Sequence, residues 1–195
     1  MRRALSLAQH SLHLSNPNPR VGCVIVQTGQ GGKVLAEGYT QAAGSRHAEA
    51  QALFQAAQQG VDVRGATAFV TLEPCSHTGR TPPCADALVQ AGLARVVYAV
   101  QDPNPQVAGQ GAARLQAAGI AVQGGVLAAE AKQINIGFFS RMQRGRPWLR
   151  LKIAASLDGF TALPNGQSQW ITGEAARADG HAWRARACAI LTGVG

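Results

Sequence analysis

This sequence predicts an α/β protein, and three features predict it. Runs rich in β-branched residues, "VGCVIVQ", "ATAFVTL" and "RVVYAV", alternate with stretches of helical periodicity such as "HAEAQALFQAAQQG". Glycine and proline mark the joints, with 23 glycines and 9 prolines in 195 residues. Apolar residues make up 46% and charged residues only 14%, the balance of a chain with a core to bury. The length suits one ordinary domain and part of another, with no need of disulfide staples.

Taken in order, residues 1–13 predict an amphipathic helix with Leu5, Ala8 and Leu12 on one face. "NPNPR" (16–20) must be an irregular loop, because a residue before proline resists helix. "VGCVIVQ" is a buried strand, "TGQGGK" a turn, and "VLAEGY" its hairpin partner. A helix over 47–59 stops at Gly60. Strand, helix, strand, helix, strand follow: "ATAFVTL", 83–90, "RVVYAV", "QVAGQGAARLQAAG" and "IAVQGGV". A long helix is expected over 127–142. Such alternation predicts a sheet with parallel strands and helices on both faces. After Gly145 and Pro147 a fresh unit opens, with strands at "WLRLKIAASLDGF" and "CAILTGVG" around a helix at "GEAARADGHAWRARA". The expected domains are 1–144 and 145–195, the second too short to close a core of its own.

The net charge is +8, but the arginines are scattered, so nucleic acid is not the expected partner. A small phosphorylated substrate would use the same sign of charge. No apolar run reaches the roughly 18 residues of a membrane span. The start lacks a continuous apolar signal region, so a cytoplasmic protein is expected. Cysteines at 23, 75, 84 and 188 show no disulfide-framework spacing. The exposed edge expected near Gly195 and the unburied second unit point to association, as a homo-oligomer, or to disorder of that tail.

The chemistry gathers in "TLEPCSHTGRTPPC" (71–84) and "HAE" (47–49). One imidazole, His47, and two thiolates, Cys75 and Cys84, make three ligands for Zn2+ and leave the fourth position to water. Zinc lowers the pKa of that water toward about 7. Glu49, two residues past the histidine, is placed to take a proton from the water and deliver it to a leaving amine. Two other readings stand beside this one: inert buried thiols, or a closed structural site completed by His77. Cys23, inside a strand, is a core residue.

The H-x-E…P-C…C pattern is that of zinc-dependent nucleobase deaminases, except that eight residues rather than two separate the cysteines. With "NPNPRVGCVIV", "HAEAQAL", "GATAFVTLEPCSHTGRTPPCADAL", "DPNPQVAGQGAARLQAAGI", "GRPWLRLKIAASLDG" and "SQWITGEAAR", the chain resembles the bifunctional deaminase–reductases of riboflavin biosynthesis over nearly its whole length. The resemblance implies a cytidine-deaminase-like three-layer α/β/α sandwich, followed by the incomplete start of a dihydrofolate-reductase-like domain. It implies hydrolytic loss of the 2-amino group from a diaminopyrimidine ribosylamine 5′-phosphate, with Asn18, His77 and Arg80 at positions that contact substrate. Asparagine offers donor and acceptor to a pyrimidine edge, and arginine a fork for phosphate. In the second unit it implies cofactor positions at Lys152, Ala154 and Trp170 and substrate positions at Ser168 and Arg184, for NADPH-dependent reduction. Thr40 and Cys188 depart from the family pattern, and reduction is not expected of these residues alone. A tRNA or free-nucleoside deaminase would share the zinc ligands but not "SHTGRTPPC"; a non-catalytic binding module would be expected to lack Glu49 or a ligand.

Overall fold

The computed structural model describes residues 1–29, 31–79, 81–105 and 107–193. The chain divides into two compact units, Met1–Trp148 and Leu149–Gly195.

In the first unit the elements run α1 (Arg2–Gln9), β1 (Gly22–Val26), β2 (Val34–Tyr39), α2 (Ala48–Gln58), β3 (Thr67–Val70), α3 (Cys84–Gln90) and β4 (Arg95–Tyr98). They continue with α4 (Gln110–Ala117), β5 (Ala121–Gln123), α5 (Ala128–Ile134) and α6 (Ile136–Arg144). The sheet order is β2-β1-β3-β4-β5. It is mixed: β3, β4 and β5 are parallel, while β1 runs antiparallel to both β2 and β3. The hairpin at its edge is what departs from a wholly parallel sheet.

Successive residues of a strand face opposite sides, and β1 shows it. Cys23 and Ile25 pack with Ala48, Ala52 and Ala56 of α2, while Val24 packs with Ala4 and Leu7 of α1. Helices therefore cover both faces. The small alanines of α2 let the helix lie close on β2, and Gly38 lets it lie closer still. A Cβ on Gly38 would overlap the Ala48 carbonyl oxygen and stand 2.5 Å from the Ala52 nitrogen.

Two helices differ from expectation in extent. α1 ends at Gln9, and the turns after it bury Ser11 and Ser15; Ser11 Oγ donates to the Thr40 carbonyl at 2.8 Å. The helix expected over 127–142 is broken between α5 and α6 at Asn135 (φ −110°, ψ 21°). The Asn135 side chain is buried and occupied elsewhere. Its Oδ1 accepts from the Arg20 N–H at 2.7 Å and its Nδ2 donates to the Arg20 carbonyl at 2.8 Å. That pair of bonds fixes the end of the Asn16–Arg20 loop.

In the second unit α7 (Glu174–Ala185) forms where a helix was expected. The strands expected at 148–160 and 188–195 do not form among the described residues. Leu149, Leu151 and Ile153 alternate as a strand should, yet all three are exposed. A strand is held by a neighbour's hydrogen bonds, and no described residue of this unit supplies one. Among the described residues no helix is long and apolar enough to cross a membrane.

Candidate active site

Three segments converge beyond the C-terminal end of β3. His47 is the extended N-cap residue of α2, Cys75 lies in the loop after β3, and Cys84 is the first residue of α3, behind Pro83. Helix N-termini carry partial positive charge, and the first amide of α3 points at Cys75 Sγ, which favours thiolate over thiol there. The ligand atoms of His47, Cys75 and Cys84 all lie within 4.8 Å of one another. His47 Nδ1 is 3.7 Å from Cys75 Sγ and 3.4 Å from Cys84 Sγ. Tetrahedral zinc, with bonds of about 2.3 Å to sulfur and 2.0–2.1 Å to nitrogen, would set that separation at about 3.5 Å. The donor set therefore fits zinc in both chemistry and spacing. Among the described residues no fourth His, Cys, Asp or Glu joins the group, so His77 does not close it.

The Cys84 amide donates to Cys75 Sγ at 3.3 Å. The Cys75 thiol is held well below its usual range, first by hydrogen bonding with the Cys84 side chain and then by His47. Cys84 is pushed up by the same bond and by burial. A pair of this kind shares a proton that a cation can displace. Glu49, in the first turn of α2, is buried and lines the same site. Burial, together with the negative charge at Cys75, raises its carboxyl to about 7.

His47, Cys75 and Glu49 line a cavity of about 460 Å3, within the range of small-molecule sites. Asn18 and His77 line it. Arg80 lies outside the described residues. Thr40 also lines it, but its hydroxyl is engaged with the Val21 backbone, accepting from that N–H at 3.1 Å.

The first hundred residues match the model of the cytidine and deoxycytidylate deaminase zinc-binding region, residues 1–100. The chain belongs to the cytidine and deoxycytidylate deaminase family. A second model, the RibD C-terminal domain, matches residues 147–195. Within the family the chain is similar to riboflavin biosynthesis protein RibD of Escherichia coli K12, with 57% identity over 192 residues, 98% of this chain and 51% of that protein. Among solved structures, Acinetobacter baumannii RibD is 51% identical with a TM-score of 0.86, covering 95% of this chain and 50% of that one. The diaminohydroxyphosphoribosylaminopyrimidine deaminase/5-amino-6-(5-phosphoribosylamino)uracil reductase of Thermotoga maritima is 42% identical with a TM-score of 0.88, covering 94% and 51%. The chain spans about half the length of the curated relatives it matches.

Sequence reasoning did not single out several residues of this deaminase cavity. Asp102 and Asn104, from the loop after β4, line it, as do Glu73, Phe138 and Arg141. The signal for the first two was available: ligands of parallel sheets sit beyond the carboxyl ends of the strands, and "DPNP" directly follows one. Phe138 and Arg141 reach the cavity from α6, a placement that only the folded chain reveals.

Asp102 is buried, and burial lifts its carboxyl to about 6, with Glu73 and Cys75 adding repulsion. Below its ordinary value of 3.8 the carboxyl is neutral in folded and unfolded chains alike, so the fold carries no penalty. As pH rises toward 6, the unfolded chain ionises first and stability is lost. Asp102→Asn keeps an acceptor for the Asn104 N–H, now 2.8 Å from Asp102 Oδ1, and removes the titration. Urea unfolding is expected to find the two chains similar near pH 4, with the variant more stable by about 1–3 kcal/mol at pH 7.5. Parallel pH profiles would refute the assignment.

Proposed function

We propose that the first unit is a zinc-dependent deaminase acting on 2,5-diamino-6-ribosylamino-4(3H)-pyrimidinone 5′-phosphate in riboflavin biosynthesis. The products are 5-amino-6-ribosylaminouracil 5′-phosphate and ammonia. The observation that carries this reading is the His47, Cys75 and Cys84 cluster, two of whose members, His47 and Cys75, line a cavity with Glu49 beside them. When bound, zinc supplies the Lewis acidity that makes water a nucleophile near neutral pH. His47 Nδ1 and the two sulfurs would hold the metal. Glu49, poised near neutrality by burial, takes a proton from the attacking water and hands it to the departing amine nitrogen. Asn18 offers a donor and an acceptor to the pyrimidine edge, and His77 and Arg80 serve the phosphorylated end. A tRNA or free-nucleoside deaminase is less well supported, because His77, Gly79 and Thr81 of the long segment between the cysteines line the cavity.

The two functions divide near residue 145, where Gly145 (φ 65°) caps the end of α6. Residues 147–195 match the RibD C-terminal domain and would belong to the NADPH-dependent reductase unit. Lys152, Ser168, Trp170 and Arg184 are exposed, and Ala154 is half-buried. Reduction is not expected of these residues alone. Work in a reducing cytoplasm, as a homo-oligomer, suits zinc–thiolate chemistry and four free cysteines.

The test is ammonia release from the diaminopyrimidine phosphate against cytidine, alongside a metal assay. About one zinc per chain and turnover of the phosphate compound alone are expected. Folded protein without metal affinity, or preference for cytidine, would overturn the reading.

A further inference from the structure

α4 lacks a side-chain cap of its own. Its N-cap is Gly109, in the left-handed region at φ 78°, and no acidic residue stands in its first turn. A helix start leaves backbone N–H groups in need of acceptors. The acceptor comes from Glu73, more than thirty residues away and only 2% exposed. Glu73 Oε2 accepts from the Gly109 N–H at 3.0 Å and from the Asp102 N–H at 3.3 Å, and Oε1 accepts from the Ala112 N–H at 3.0 Å. Its own N–H donates to the Val100 carbonyl at 2.9 Å. Behind this clasp α4 lies tight on the same strand end. A Cβ on Gly111 would overlap the Pro74 carbonyl oxygen and come 3.4 Å from Glu73 Oε1.

We infer that Glu73 is a positioning residue whose carboxylate ties the cavity wall of Asp102, Asn104 and Val107 and the start of α4 to the segment carrying Cys75. One carboxylate holds both ends of the loop from which Asp102 and Asn104 enter the cavity, so the loop cannot drift from the metal side of the site. Three N–H donors on one buried carboxylate also explain why an acid occupies this place. Glutamine of the same shape would turn an N–H group toward backbone N–H groups. The inference rests on the deaminase reading for its catalytic consequence, but not for its structural one.

The test is Glu73→Gln, read in two ways. By hydrogen–deuterium exchange, residues 101–112 are expected to exchange about tenfold faster, while α2 and the zinc content stay as in the parent. In steady-state kinetics, KM for the pyrimidine phosphate is expected to rise about tenfold with kcat within about threefold, because the wall moves and the metal does not. Unchanged exchange over 101–112 overturns the clasp whatever the activity. A KM at the parent value, or zinc and kcat lost together, overturns the positioning role. If the parent itself releases no ammonia, the deaminase reading fails, and the exchange experiment still decides the clasp. Should Glu73→Gln not fold, both readouts are taken on Glu73→Asp, which keeps the charge with a shorter reach and meets the same criteria.

Discussion

Glu49→Gln is expected to leave about one zinc per chain in place and to lower ammonia release by about a hundredfold or more. Glutamine preserves the size of the buried side chain and cannot accept and return a proton. The carboxyl it replaces stands near neutrality, at about 7, because burial disfavours its charge. A group that must gain and lose a proton in each turnover works best near that point. Glu49 is not among the three clustered ligand residues, so metal content should not follow activity down. Turnover within tenfold of the parent would remove Glu49 from the proton-transfer role. Zinc lost together with activity would place it in the metal's support instead.

Gly38→Ala is expected to be among the most damaging small substitutions in the chain. The added methyl has nowhere to go: it meets the backbone of α2 at Ala48 and Ala52, and backbone cannot rotate aside as a side chain can. Overpacking of this severity costs about 3 kcal/mol or more, an unfolding midpoint lower by about 10 °C in a unit of this size. The first of those contacts is one residue past His47, so relief by sliding α2 would carry a metal ligand away from the two sulfurs. Zinc content is expected to fall with the midpoint. A variant with parental midpoint and metal content would mean that α2 does not rest on β2 as described.

How much of this could be read beforehand differs from one residue to the next. His47, Cys75 and Cys84 were legible because ligand chemistry is written in residue types, and few such residues sit beside Pro-Cys pairs. The strands of the sheet were legible from β-branched runs, and the antiparallel hairpin from its glycine turn. Asn135 was not, since apolar periodicity runs through it unbroken and its partner, Arg20, is 115 residues away. Glu73 was hidden for the same reason: in sequence it is one acid before a proline, and its work appears only once α4 has folded against it. The strands expected around Leu149–Ile153 failed in the other direction. Their pattern is correct for a strand, but a strand is a relation between two segments.

The tie between Asn135 and Arg20 also bears on how small a working enzyme could be. The family match stops at residue 100, which would tempt anyone to trim there. Such a piece would lose the side chain that anchors the rim at Asn16–Arg20, together with Phe138 and Arg141 from the far wall. The minimal catalyst is therefore longer than its recognisable signature and must reach the end of α6.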